Sequence, residues 1–193
     1  MIQAAVGLPA RERILASAYE LFARHGVRAV GVDEVIRRAN VAKATLYRHF
    51  ASKDELVLAF LQQREQLWTK EWVEAEARRR GATPEEQLLS IFDLFDEWFR
   101  RADFEGCSFI NILLEMNDRR TTIGEASAMH LANIRALIGA LATEAGLSEP
   151  EEFAHSWHIL MKGSIVAARE GDEDAAQRAQ AVARLLIAQH RRA

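Results

Sequence analysis

Apolar residues recur along this chain at intervals of three and four, the spacing that lines one side of an α-helix, and no window alternates in the manner of a half-buried strand. Ile14, Leu15, Ala18, Leu21 and Phe22 predict a first helix over residues 11–25, closed at Gly26. Val35, Ile36 and Ala39 give a second helix one apolar side, and Val41, Leu46 and Phe50 give a third its own. Between them stands Asn40, which tolerates the positive φ of a tight turn better than any residue but glycine. Ser52 and Glu55 spell a capping box that opens a long helix running to about residue 80, with Leu56, Val57 and Phe60 facing the preceding helices and Leu67, Trp68 and Trp72 farther along.

Three further capping boxes are expected, at Thr83 with Glu86, Thr122 with Glu125, and Ser148 with Glu151. Pro84 sits just inside a helix start, and Gly81, Gly146 and Gly171 are placed to close helices. Leu88, Leu89, Phe92, Phe95 and Phe99 mark one later segment, and Ile134, Leu137, Ile138 and Leu141 another. The sum is an all-α chain of about nine helices without strands. Residues 1–9 lack periodicity and read as a loose arm.

The penultimate helix carries two apolar strips, one of Phe153, Trp157, Leu160, Met161, Ser164, Ile165 and Ala168, the other of Ile159, Gly163 and Val166. Two strips imply two partners. The last helix offers Ala175, Ala176, Ala179, Ala183, Leu186 and Ile187, small and aliphatic residues that allow close helix packing. A homodimer built from these last two helices is the expectation.

Composition adds little until it is split along the chain. With 49% hydrophobic and 27% charged residues it is ordinary for a globular protein, and its formal net charge is −3. Residues 10–60, however, hold nine Lys/Arg against six Asp/Glu, and the remainder to residue 193 sixteen against twenty-two. A basic head and an acidic body suit a protein that presents one end to nucleic acid. The single cysteine, Cys107, fits a reducing compartment, and neither a signal peptide nor an eighteen-residue apolar run is evident, so a cytoplasmic, non-membrane location is expected.

The head is more specific than its charge. Residues 36–53 contain Arg37, Arg38, Lys43, Arg48 and Lys53 and no acid at all, on two short helices joined by a turn, which is the outline of a helix-turn-helix. With the core positions removed from the second of these helices, Lys43, Ala44, Thr45, Tyr47, Arg48 and His49 face outward. The stretch GVDEVIRRANVAKATLYRHFASKDEL resembles the DNA-binding segment of the tetracycline-repressor (TetR) family of bacterial transcriptional regulators, with Thr45-Leu46-Tyr47, Phe50 and Lys53 matching the family's pattern. It departs at Gly31, where a capping threonine is common, and at Asn40, where glycine is usual.

The resemblance implies a three-helix DNA-binding domain over residues 10–61 and an effector-binding and dimerisation domain over 62–193, the two sharing the long helix. It implies a ligand-responsive repressor that binds double-stranded operator DNA as a dimer, with Lys43 and Ala44, joined by Arg48, near base edges and Thr45, Tyr47, His49 and Lys53 on phosphates. A small, largely apolar effector would sit among the helices of residues 84–141, either releasing the operator or promoting its binding. In such a body ligands bind between helices, and the candidates to line the pocket are Trp98, Phe109, Asn111, Glu115, Met129, His130 and His158. An all-helical metal- or metabolite-binding protein with an incidental basic helix is the alternative, since Glu152-x-x-His155 has the spacing of a di-iron ligand pair. Only one such pair occurs, so no metal and no cofactor are expected. No nucleophile elbow, Walker loop or dinucleotide fingerprint is present, which leaves no catalytic residue to nominate.

Overall fold

A computed structural model describes residues 8–116 and 118–191 of the chain, so the arm expected at the N-terminus lies, for residues 1–7, outside the described residues. In order, the elements are α1 (Ala10–His25), α2 (Val32–Ala39), α3 (Lys43–His49), α4 (Lys53–Arg64), a π-helical stretch (Glu65–Glu74), α5 (Ala75–Arg80), α6 (Pro84–Phe99), α7 (Ser108–Glu115), α8 (Thr122–Glu144), α9 (Pro150–Glu170) and α10 (Ala175–His190). Counting α4, the π stretch and α5 as one run gives nine helices and no strand among the described residues. The long helix that the sequence suggests is therefore helical throughout, but its middle ten residues take the wider π hydrogen-bonding register instead of the α register.

Two compact units divide the chain. The first comprises Met1–Glu65 and Ser108–His130, the second Gln66–Cys107 and Leu131–Ala193. In the first unit Ile14, Ala18, Leu21 and Phe22 of α1 are buried together with Val35, Leu46, Phe50, Leu56, Val57 and Phe60. Phe60 meets Tyr19 edge-on with centroids 5.3 Å apart and Phe22 at 5.7 Å, so α4 is seated on α1 by aromatic contacts. In the second unit Phe92, Phe95, Trp98 and Phe153 form a buried aromatic core with Trp157, which is stacked on Phe153 at 5.2 Å. Bidentate pairs of Arg78 with Glu144 and of Arg80 with Glu97 tie α5 to α8 and α6.

The caps follow the sequence in two places and depart from it in two. Ser52 accepts from the Glu55 amide, and Thr83 with Glu86 forms a complete capping box. At α8 the cap is Thr121, one residue before the expected Thr122: its hydroxyl accepts from the Gly124 amide. Ser148 does not cap α9, because Glu149 stands at the N-cap in a left-handed conformation (φ 49°) and Pro150 follows. The Ser148 hydroxyl instead donates to the carbonyl of His190, at the end of α10, at 3.0 Å.

The small residues of α10 also serve a different surface from the one expected. Ala175, Ala176, Ala179, Ala183 and Ile187 are buried within the second unit, where α10 lies against α6 and α9. Small side chains let the helix axes approach, so these residues close the fold of one chain, and the exposed large apolar residues of α10 are Val182 and Leu185.

Asn40 adopts φ 50° and ψ 58°, the left-handed conformation that ends α2, and its amide with that of Val41 closes on Arg37 and Ile36. Such a backbone is strained for a β-branched side chain and free for glycine. Asn40→Val is expected to cost about 1–2 kcal/mol, whereas Asn40→Gly should change stability by less than about 1 kcal/mol, as read from urea midpoints.

Candidate nucleic-acid interface and the polar sites of the body

The second helix of the motif sorts its residues as the periodicity requires. Leu46 and Phe50 are buried, Lys43, Ala44, Tyr47 and Arg48 are exposed, and Thr45 and His49 are half-buried at the margins. The outward set therefore forms one continuous surface with a basic edge. The Lys43 ammonium lies 3.3 Å from Asp33 Oδ1, an exposed pair of the kind that contributes little stability and is readily exchanged for another anion.

The motif is held from behind by contacts that the sequence pattern does not assign. Arg13 of α1 donates through Nε to the Ala39 carbonyl at 3.2 Å, so a guanidinium caps the C-terminal end of α2 where carbonyls are otherwise unpaired. The backbone of Val27, in the loop between α1 and α2, is gripped at both its amide and its carbonyl. Its carbonyl accepts from Lys53 Nζ at 2.6 Å, and its amide, with that of Arg28, donates to Glu115 Oε2 at 2.9 and 3.0 Å. Gly26 makes room for this. At φ 78° it lies where a Cβ would come within 2.3 Å of Glu115 Oε1, so a side chain there would evict the carboxylate. Lys53 thus has a structural bond as well as two remaining N–H donors.

Gly31, at the start of α2, has extended backbone and no side-chain cap, and nothing within 4 Å would meet a Cβ there.

The residues expected around a ligand fall in both units. In the first, Phe109 is stacked on His130 with centroids 5.0 Å apart, and His130 Nδ1 lies 2.7 Å from Glu65 Oε2, close enough to pair when the ring is protonated but out of line for a good hydrogen bond. Glu115 is engaged with the Val27 loop, while Asn111 and Met129 lie on the surface. In the second unit Trp98 is buried among Trp68, Trp72, Phe95, Phe99 and Phe104. His158 is only 2% exposed and its Nδ1 has no hydrogen-bond partner among the described residues. Burial first, then the charges of Lys162, Arg135 and His155, push its pKa down to about 3. Glu152 and His155, the spacing that suggested a metal pair, line an open depression of about 570 Å³ with Glu149, Pro150 and Glu151. Among the described residues no three His, Cys, Asp or Glu side chains are grouped to hold a metal ion.

Fold and interface together define a helix-turn-helix DNA-binding protein with an all-helical body. Residues 14–60 match the model of the bacterial regulatory proteins of the tetR family. The transcriptional activator FasR of Mycolicibacterium smegmatis is 50% identical over 52 residues, 27% of this chain and 24% of that protein. The regulator QacR of Staphylococcus aureus is 27% identical over 89 residues, 46% of this chain and 47% of that protein. The chain thus spans less than half the length of these curated relatives. The likeness to a solved TetR-family regulator from Streptomyces coelicolor extends over 94% of this chain and 95% of that one, with a TM-score of 0.85 and 25% identity. Residues 14–60 thus form a TetR-type DNA-binding segment, and the fold of the chain is that of a solved TetR-family transcriptional regulator.

His158 gives the body a pH signature. Its folded pKa, about 3, lies below the ordinary value of 6.5, so between those limits the unfolded chain binds a proton that the folded one does not. Stability is therefore full above pH 6.5 and falls as pH drops through the window, by up to about 1.4 kcal/mol per pH unit. Between pH 7 and 5, above the carboxylate range, the urea midpoint of the parent should fall by more than that of His158→Gln.

Proposed function

We propose that the protein is a ligand-responsive repressor that binds operator DNA as a homodimer. The observation that carries this reading is the outward surface of α3, basic and uncluttered, on a motif whose sequence matches the family's DNA-binding segment. Lys43 and Ala44, with Arg48 beside them, read base edges in the major groove. Thr45, Tyr47, His49 and Lys53 hold phosphates, a division in which base contacts specify and phosphate contacts position. The DNA-binding domain is assigned to residues 10–61 and the effector-binding and dimerisation domain to 62–193. Among the described residues no helix is long and apolar enough to cross a membrane, and a regulator of this kind acts in the cytoplasm with the DNA.

Dimerisation is supported by the apolar faces that the last two helices leave open. Ile159 is 67% and Val166 50% exposed on α9, and Val182 49% and Leu185 71% on α10. A contiguous uncovered apolar face marks an interaction surface. Two copies joined there would set their recognition helices about one DNA turn, roughly 34 Å, or somewhat more apart on a pseudo-palindrome. An effector in the body needs to supply only about 1–3 kcal/mol of coupling to change operator affinity five- to 150-fold.

Two measurements test this. Binding to duplex DNA should weaken linearly in log-log form with salt, and the Lys43→Ala/Arg48→Ala variant, altered only at exposed positions, should lose affinity, flatten the slope and change sequence preference. Equal binding by that variant and the parent at moderate salt would refute the assignment of α3. Light scattering at micromolar concentration should give twice the chain mass of 21.8 kDa, and Ile159→Asp/Leu185→Asp should halve it with helix content intact.

A further inference from the structure

Antiparallel α8 and α9, joined by residues 145–149, approach closely at one point in the second unit: a Cβ at Gly139 would lie 3.8 Å from that of Ala154. Four residues back along α8 from Gly139 is Arg135, and four residues on along α9 from Ala154 is His158. In an antiparallel pair these positions oppose each other, and Lys162, another four residues on, shares the face of His158.

All three side chains are thus brought together, and each is able to donate hydrogen bonds. None has a carboxylate partner among the described residues. Lys162 and Arg135 are half-buried, while His158 is almost wholly buried with Nδ1 unpartnered. Burial, and next the neighbouring Arg135, hold the Lys162 ammonium below its usual range, and the Cys107 thiol is the group that acts in the opposite sense. Cations crowded in a partly dry place without a counter-charge are costly unless something anionic joins them.

We infer that Arg135, His158 and Lys162 form an anion-binding subsite of the helical body, taking the acidic end, carboxylate or phosphate monoester, of a small organic ligand. This rests on the reading of the body as effector-binding and narrows the effector to an acid with an apolar remainder. Arg135 supplies a planar pair of donors, Lys162 a point charge, and the neutral His158 ring a nitrogen that orients the bound oxygen.

The full-length chain is titrated with octanoate, octyl phosphate, octanol and octylamine at submicellar concentration, following tryptophan fluorescence, since Trp157 adjoins His158. Charge-assisted hydrogen bonds should make the better acid bind at least about tenfold tighter than octanol, and octylamine weaker than octanol. Tighter binding of octyl phosphate assigns a phosphate, tighter binding of octanoate a carboxylate. Lys162→Met and Arg135→Met should each erase the preference and leave octanol unchanged, while Arg135→Lys should retain it, with circular dichroism confirming helix content. No binding by any of the four, equal binding of the acids and octanol, preference for octylamine, or a preference that survives Lys162→Met/Arg135→Met would each overturn the subsite. Selective acid binding that leaves operator affinity unaltered would instead keep the subsite and refute the effector reading.

Discussion

The backbone of one residue, Val27, fixes how the DNA-binding motif leaves α1. Its carbonyl is bound by the Lys53 ammonium and its amide by the Glu115 carboxylate, which also takes the amide of Arg28. Val27 itself is buried, so a lost partner would leave a backbone group that water reaches poorly, at a cost of about 1–3 kcal/mol. Because α2 and α3 follow directly, the loop's orientation sets theirs. Three elements distant in sequence, the α1–α2 loop, the first turn of α4 and the last turn of α7, thereby share one polar knot. Gly26 is the concession that lets the carboxylate in.

The head's basic residues divide between holding the fold and facing solvent. Arg13 and Lys53 bond backbone carbonyls, whereas Arg38 pairs with Glu20 and Lys43 with Asp33 at exposed positions. Exposed pairs of this kind contribute at most about 1 kcal/mol and weaken with salt. The phosphates of a duplex can therefore displace Glu20 or Asp33 without disturbing the core. They would gain less by drawing Lys53 away from the Val27 carbonyl, because that bond belongs to the scaffold.

Periodicity made most of this architecture legible, because burial on one side of a helix repeats every three or four residues and leaves the same imprint wherever the helix packs. It separated the buried strip of α9 from the exposed one and marked the turn at Asn40. What it could not assign was the partner of each face. The alanines of α10 read as a dimer surface because small residues favour any close helix contact, and only the tertiary arrangement shows that α6 and α9 of the same chain use them. Ser148 failed as a cap for a related reason, since a hydroxyl near a helix start can equally bond a distant carbonyl. Glu115 reads from the sequence as a candidate pocket residue, whereas its acceptor role depends on amides 88 and 87 residues away. Arg135 and Lys162 left no signal at all: isolated cations on helices ordinarily read as solvated surface.

Successive residues on an α-helix turn by about 100°, so Trp157, His158 and Ile159 point to three different sides of α9. The first side is buried in the aromatic core with Phe153, the second carries the cationic cluster with Lys162, and the third is exposed with Gly163 and Val166. A helix of this length moves as a rod, because its backbone bonds are internal and its side chains interlock with their neighbours. A ligand drawn against the cationic side therefore acts on the same rigid body that holds the core and offers the open apolar face. No separate relay is needed to carry a shift of α9 from one side to another; the geometry of a single helix already makes its packing, charge and association interdependent.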